Sequence, residues 1–288
     1  MDFVVLKSIN YWSYPGGLEG TLGLGEFFAK AKKHGFEAVE VCIGHEGVLN
    51  VNTTEAECQA ILAEAENAGV KVASVASGTY WARAIGDVDA ATRAAAVEDL
   101  QKMLRITSWL GCRTLLTIPA AVDVFFLPDR PVQSYDELYK NASDGIRACL
   151  PAAEEAGVVM GIENVWNKFL LSPIEMRDFI DSFDSKFIGA YFDVANIQPY
   201  GYAEQWLRIL GHRIAGIHFK DFRRAVGTVE GFVDLLEGDV NWPEVMAAIS
   251  EIGYQGPVVA ELIPLYKHYP EVRCINTSTA MDHILGRA

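Results

Sequence analysis

Four side chains of metal-binding and acid–base type each stand near the end of an apolar run. They are Glu163 in "VVMGIEN", Asp193 in "IGAYFDVAN", His218 in "IAGIHFK" and Glu261 in "PVVAELI". An ionisable group in such a run is costly to bury unless a partner pairs with it. The four residues are therefore candidates for one shared site, provided that the fold brings the ends of their runs together.

A shared site of this composition would hold a divalent metal ion. Three carboxylates at one point repel each other when they are ionised, and a divalent cation offsets that repulsion. An oxygen-rich ligand set with one imidazole suits Mn²⁺, Mg²⁺ or Co²⁺ better than a structural zinc ion. We predict Glu163, Asp193, His218 and Glu261 as metal ligands and Mn²⁺ as the ion, and we assign no residue to an organic cofactor.

The elements that would position these residues follow a regular alternation. Eight short runs rich in β-branched residues alternate with longer amphipathic segments. The predicted strands are 3–9, 38–44, 70–77, 113–119, 158–164, 188–196, 214–220 and 257–263. Ser or Thr precedes acidic residues at 53–58, 134–139 and 172–179, a pattern typical of helix starts. Glycine stands before several of the following strands, as it does at helix ends.

This alternation predicts an α/β fold, a (β/α)8 TIM barrel that forms a single domain over residues 1–288. Near-continuous apolar strands between helices indicate a parallel sheet covered on both faces, and eight units in a chain of this length fit a closed barrel. An open doubly wound sheet is the alternative. Its phosphate-loop motif is incomplete here, because Phe28 stands where a third glycine should follow Gly23 and Gly25. We interpret this glycine cluster as a flexible first βα loop.

Other polar and aromatic residues are expected at the mouth of the barrel, where strands end. Trp12 is either a packing residue or an apolar wall against a sugar face, and Trp81 is a weaker candidate for the same role. Lys220 could hydrogen-bond a substrate oxygen or hold a ligand carboxylate. Glu40 interrupts the second strand and is either a buried structural carboxylate or part of the site. Asp221 either orients Lys220 or Arg224 or simply begins the following loop.

The amino-acid composition of the chain indicates which binding partners and which cellular compartment to expect. Half of the residues are apolar, 22% are charged and the net charge is −14, which argues against a nucleic-acid or anionic-membrane surface. The five cysteines have no C-x-x-C spacing, so buried unpaired thiols are expected. The N-terminus lacks the apolar length of a signal peptide, and we expect a cytoplasmic protein.

The chain resembles the xylose isomerase-like TIM barrels over essentially its whole length, most strongly from residue 158 to residue 264. It is most similar to the sugar and sugar-phosphate isomerase/epimerase group, particularly D-tagatose 3-epimerase-type and pentulose-phosphate 3-epimerases. The resemblance rests on "GIENVWNKF", "YFDVAN", "IHFKD" and "GDVNWPEVMAAISEIGYQGPVVAEL", with "NYWSY" as a weaker match near the start. It implies a small-molecule sugar or sugar-phosphate substrate, and a homo-oligomer, either a dimer or a tetramer.

The resemblance also implies roles for individual residues. Glu163 and Glu261 would be the two acid–base groups, one on each face of the substrate, in addition to ligating the metal. They would remove and return a proton next to a carbonyl, through a cis-enediolate held by the metal. Asn196 and Arg224 would bind the substrate with Trp12 and Lys220, and Arg223 is a rival to Arg224.

Two alternatives stay open at this point. Asn196 stands where ketose epimerases usually have histidine, and this difference weakens the assignment to free-ketose epimerisation.

The first alternative function is that of a lyase of the same group, which cleaves 3-keto-glycosides by deprotonation and elimination of the aglycone. The second is a non-catalytic sugar-binding barrel. An endonuclease is disfavoured, because strands three and four end without the histidines that its zinc cluster needs.

Overall fold

Eight apolar strands of this chain close into a parallel barrel. The structure is a computed structural model and describes residues 5–287. In chain order the strands are β1 (Lys7–Asn10), β2 (Ala38–Ile43), β3 (Lys71–Ser77), β4 (Thr114–Thr117), β5 (Val159–Glu163), β6 (Ile188–Asp193), β7 (Ile214–Phe219), β8 (Asp221–Phe222), β9 (Phe232–Val233) and β10 (Val258–Ala260). The short strands β8 and β9 pair antiparallel outside the barrel, which has the order β1-β10-β7-β6-β5-β4-β3-β2.

Eight helices follow the barrel strands and surround them. They are α1 (Leu24–Lys33), α2 (Glu55–Ala68), α3 (Ala90–Trp109), α4 (Tyr135–Ala156), α5 (Pro173–Asp181), α6 (Ala203–Leu210), α7 (Trp242–Glu251) and α8 (Pro270–Ile284). The predicted helix starts are observed at Thr54, which forms a capping box with Glu57, and at Ser172, which accepts from the Glu175 amide. Gly69 ends α2 in the left-handed conformation, which glycine adopts without steric cost.

The predicted (β/α)8 barrel is therefore confirmed, and the open doubly wound alternative is wrong because β1 pairs with both β2 and β10. Six of the predicted strands extend past the observed ends, since their last residues turn into the loops, whereas β3 ends as predicted at Ser77 and β1 continues to Asn10. Lys220, Asn196 and Glu261 consequently lie just beyond β7, β6 and β10. Residues 3 and 4 of the predicted first strand lie outside the described residues.

The strand register places the candidate residues at one level of the barrel. Asp193, the last residue of β6, pairs with His218 in β7, and Glu163 at the end of β5 pairs with Tyr191 in β6. Ala260 pairs with Phe219, so that Glu261 is the next residue toward the same end. The carboxyl ends of parallel strands open to one face of a barrel. The register therefore directs these side chains toward a common point.

All five cysteines are buried and unpaired, as the sequence predicts. Within the described residues they form neither a disulfide nor a thiolate cluster. Within residues 5–287, none of the helices combines the length and the apolar character needed to cross a bilayer.

Candidate active site

The four predicted ligand residues meet at the carboxyl ends of β5, β6, β7 and β10. One ligand atom from each of Glu163, Asp193, His218 and Glu261 lies within 4.8 Å of the others, and all four residues are buried. Asp193 and His218 lie deepest, while Glu163 and Glu261 also line the cavity above them. The predicted convergence of these side chains is thus observed, and their role as ligands stays a prediction.

The imidazole of His218 is held in one orientation by Glu40. Nε2 of His218 lies 2.7 Å from Oε1 of Glu40, a contact in which the ring N–H donates to the carboxylate. Nδ1 points into the cluster, 3.7 Å from both Glu163 Oε1 and Glu261 Oε2, and has no hydrogen-bond partner. A ring nitrogen that is fixed by an outer carboxylate and exposes its lone pair inward is the usual arrangement of a metal-ligating histidine.

Glu40 itself is a fully buried carboxylate with a complete set of partners. Besides His218 it accepts from Asn10 Nδ2 at 2.7 Å, Ser74 Oγ at 2.7 Å and the hydroxyl of Tyr191. Burial raises the pKa of Glu40, but His218 and these donors outweigh it, so its pKa lies below the ordinary value. The sequence left open whether Glu40 is a buried structural carboxylate or part of the site. The structure shows a buried carboxylate whose hydrogen bond orients His218, a residue of the candidate site.

The two carboxylate oxygens of Asp193 have different surroundings. Oδ1 accepts from the backbone amides of Ala195 and Asn196 at 2.9 and 3.0 Å, and Asn164 bonds the backbone of Asp193 in both directions at 2.8 Å. Oδ2 is buried and has no hydrogen-bond partner, although Lys220 Nζ lies 3.2 Å away. Buried polar atoms without partners are rare and are often explained by an ion. Asp193 Oδ2 and His218 Nδ1 therefore fit a cation as their missing partner.

Lys220 adds positive charge next to the carboxylates of the cluster. Its ammonium forms ion pairs with Glu261 and with Asp193. Burial lowers the pKa of Lys220, but the carboxylates of Asp193, Glu261 and Glu163 raise it well above the ordinary value. The charged ammonium thus offsets part of the carboxylate charge, and Lys220 contacts two of the predicted ligands, while its functional role stays a prediction.

The carboxyl group of Glu163 has a raised pKa in the metal-free protein. Burial raises the pKa of its carboxyl to about 7, the nearby His218 opposes that rise, and the neighbouring Glu261 carboxylate adds to it. A carboxyl group with a pKa near the working pH can both accept and donate a proton at a useful rate.

A cavity of about 940 Å³ opens above the cluster. Five aromatic rings form a continuous arc along its wall, with successive ring centroids 5.1 to 6.0 Å apart. In spatial order this aromatic arc consists of Trp81, Phe126, Phe125, Trp166 and Phe232. One end of the arc lies near the cluster: the Phe232 ring centroid is 5.3 Å from Nζ of Lys220, which is paired with Glu261 and Asp193.

The residues predicted to bind substrate have different positions. Trp12, Asn196 and Lys220 line the cavity. Arg224 is not among its lining residues: its guanidinium donates to Gln198 Oε1 at 2.7 and 3.0 Å and lies 4.7 Å over the Tyr202 ring. Arg223, the rival, donates to the backbone oxygen of Glu237. Substrate binding by Arg224 stays a prediction, with no contact in the described residues to support it.

Asp221 organises the loop between β7 and α7. Its carboxylate accepts from the amides of Phe222, Leu236 and Val240 and from Trp242 Nε1, at 2.9 to 3.2 Å. It therefore shapes the loop that carries Phe232 and does not contact Lys220 or Arg224.

Sequence reasoning missed most of the aromatic arc. Trp166 follows Glu163 by three residues, a position near a strand end that could have marked it. Phe125 and Phe126 lie in the loop between β4 and α4, about half exposed, and Phe232 lies in the hairpin after β7. Loops lack the periodic pattern from which a facing direction can be read.

Comparison with known proteins supports the fold and the class of chemistry. A family model described as the xylose isomerase-like TIM barrel matches residues 28–273. The chain is 24% identical over 280 residues to L-ribulose-5-phosphate 3-epimerase UlaE of Salmonella heidelberg, with 94% of each chain covered.

Solved structures share the same architecture at lower identity. A D-psicose 3-epimerase from Clostridium cellulolyticum H10, solved with D-tagatose, superposes with a TM-score of 0.77 at 16% identity and covers 97% of this chain and 98% of its own. The IOLI protein, solved with a bound zinc atom, gives a TM-score of 0.75 at 16% identity over 98% of this chain and 99% of its own. At this identity the two structures show the fold.

Proposed function

The chain belongs to the xylose isomerase-like TIM barrel family, and from this premise we propose that it is a metal-dependent sugar isomerase or epimerase of the ketose 3-epimerase type. One observation carries the proposal most strongly. Two buried ligand-type atoms, Asp193 Oδ2 and His218 Nδ1, lack hydrogen-bond partners and belong to a cluster whose two glutamates face a cavity.

Glu163, Asp193, His218 and Glu261 would hold a divalent cation. Their oxygen-rich donor set favours Mn²⁺, with Mg²⁺ and Co²⁺ as alternatives. When bound, the cation would polarise the substrate carbonyl and stabilise the negative charge that develops on its oxygen. Glu40 would keep the His218 ring in the ligating orientation throughout.

The two glutamates are placed for proton transfer. Glu163 and Glu261 come from β5 and β10, which β6 and β7 separate in the barrel, so they approach the cavity from different sides. One carboxylate removes the proton from the carbon next to the carbonyl, and the other returns a proton on the opposite face.

Lys220 and Asn196 would assist at the floor of the cavity. The Lys220 ammonium can donate to a substrate oxygen while it remains paired with Glu261. The side chain of Asn196 donates to the backbone oxygen of Asn164 at 3.0 Å, so its amide oxygen remains as an acceptor for a substrate hydroxyl. Trp12 would offer an apolar face to the sugar ring.

A solvent-exchange assay tests this function. The protein is loaded with Mn²⁺, its metal content is measured, and it is incubated with a panel of ketoses and ketose phosphates in deuterated water. We expect deuterium to enter one sugar at the carbon next to its carbonyl. Glu163→Gln and Glu261→Gln should each abolish exchange while retaining a native circular dichroism spectrum. No exchange into any sugar of the panel would contradict the proposal.

A second substrate separates the alternatives. Incubation of the same Mn²⁺-loaded protein with a 3-oxo-glycoside tests the lyase reaction, and release of the aglycone without ketose epimerisation would assign the chain to it. Sugar binding with neither exchange nor elimination would indicate a non-catalytic barrel. A homo-oligomer, dimer or tetramer, and a cytoplasmic location stay predictions, and light scattering during gel filtration tests the first of them.

A further inference from the structure

The cavity offers little positive charge to a substrate. Among the described residues that line it, Lys220 is the sole lysine or arginine. Its ammonium is already paired with Glu261 and Asp193 at the floor of the cavity. Proteins usually bind phosphate groups with arginine, lysine or helix N-termini that are free to meet them. Lysine and arginine side chains thus leave the far end of a substrate without a cation, and His45, which also lines the cavity, is paired with Asp99 Oδ2 at 3.2 Å.

The mouth of the cavity is acidic instead. Glu19, Glu46 and Glu230 lie on the loops after β1, β2 and β7, line the cavity and are exposed to solvent. None of the three forms an ion pair within the described residues. A phosphate ester that enters between these loops would meet formal negative charge on several sides, and like charges at short range repel.

The aromatic arc provides a different kind of contact. It extends from Phe232, next to Lys220, through Trp166 and Phe125 to Phe126 and Trp81. Phe125 and Phe126 keep 52% and 47% of their surface exposed. Exposed apolar surface that is concentrated in a concave site marks a place where a ligand binds. A substrate held at the cluster would therefore extend along uncharged rings.

We infer that the substrate is an uncharged sugar without a phosphate group, and that its end remote from the reacting carbon lies against the aromatic arc. This inference rests on the proposed function, because it assigns the substrate class of the same site. It departs from the phosphorylated pentulose named for the relative UlaE, which aligns over nearly the whole chain.

Matched pairs of substrates test the absence of phosphate. For each ketohexose and ketopentose, kcat/KM for solvent exchange is measured with the free sugar and with its terminal phosphate ester, using the Mn²⁺-loaded protein. We expect the free sugar to be preferred by about tenfold or more at low ionic strength. A preference for the phosphate ester would overturn the inference and leave the proposed function intact. Exchange in neither member of any pair would overturn the proposed function, and this inference with it.

Charge removal at the mouth gives a second measurement. The triple variant Glu19→Gln/Glu46→Gln/Glu230→Gln should raise kcat/KM for the phosphate ester relative to the free sugar, and added salt should diminish the difference. The matched control is Glu137→Gln/Glu154→Gln/Glu155→Gln, which removes the same charge from α4. A similar gain in both triple variants would show that the mouth charges have no specific role.

Contact with the arc is tested by truncation. Phe125→Ala/Phe126→Ala should raise KM for the preferred neutral sugar about tenfold, with metal content unchanged. The control Leu171→Ala/Ile174→Ala removes two apolar side chains of similar exposure outside the cavity and should leave KM unchanged. An unaltered KM in the phenylalanine variant would overturn the assigned contact.

Discussion

The carboxylate of Glu40 accepts a hydrogen bond of 2.7 Å from Nε2 of His218, across 178 residues of sequence. The contact leaves Nδ1 of the same ring facing Glu163 and Glu261, without a hydrogen-bond partner. Glu40 thus sets which ring nitrogen is available to a cation, although it does not line the cavity.

Glu40→Gln should weaken Mn²⁺ binding by about 10- to 100-fold, the usual effect of removing an outer partner of a ligating histidine. Glutamine keeps the shape but loses the negative charge that fixes the ring. Calorimetric titration of the metal-free protein measures the change. Asp87→Asn, which alters another buried carboxylate that pairs with Arg130, is the control and should leave the affinity unchanged. Equal Mn²⁺ affinity in the wild type and in Glu40→Gln would exclude this role.

Metal removal should lower thermal stability. A ligand that binds only the folded state stabilises it by about 2.7 kcal/mol at a free concentration of 100 times its Kd. Melting curves in excess Mn²⁺ and in chelator should therefore differ by several degrees. His218→Gln should abolish most of this difference, because it removes the nitrogen that lacks a partner. A melting temperature that is the same with and without Mn²⁺ would argue against a metal site.

Lys220→Met should make stability more dependent on the metal. In the metal-free protein the ammonium is the cation paired with Glu261 and Asp193, and removing one partner of a buried ion pair costs about 3–5 kcal/mol. Bound Mn²⁺ would restore part of that loss. Denaturant unfolding with and without Mn²⁺ measures both values, and an equal loss under the two conditions would contradict charge compensation by Lys220.

The pH dependence of the metal-free protein should reveal Glu163. Its carboxyl has a pKa of about 7 when folded, above the ordinary 4.5. Between these values the folded chain keeps a proton that the unfolded chain has released, so stability falls as pH rises from about 4.5 to about 7. The contribution is about 3 kcal/mol. In chelator, Glu163→Gln should reduce this fall, which urea unfolding at several pH values measures. An identical pH slope in the variant would refute the assignment.

Gly238→Ala should loosen the loop after β7. A Cβ at Gly238 would overlap Oδ1 of Asp221, and this oxygen accepts hydrogen bonds from the backbone amides of Phe222 and Val240. Overpacking of this kind costs about 1–3 kcal/mol, and displacement of Phe232 should raise KM. Gly23→Ala is the control, since a Cβ there meets nothing within 4 Å. Unchanged stability and KM in Gly238→Ala would show that the loop does not depend on Asp221.

The fold and the identity of the clustered residues could be predicted from the sequence for a local reason. The periodic patterns of strands and helices can be recognised within short segments of sequence. Eight parallel strand–helix units then place the carboxyl ends of all the strands at one face of the barrel. Glu163, Asp193, His218 and Glu261 each stand at such an end, so their convergence follows once the barrel is assumed. The exact ends of the strands were less predictable, because the apolar runs continue into the loops.

The sequence by itself determined the barrel and the residues that its strands deliver to the mouth. Only the tertiary structure decided that Glu40 accepts a hydrogen bond from His218 and that Arg224 donates hydrogen bonds to Gln198. It also decided that the rings of the aromatic arc contact one another. These relationships join loops and strands that are far apart in the chain. Side-chain direction in a loop depends on such distant contacts, whereas direction in a strand follows from a local period of two residues.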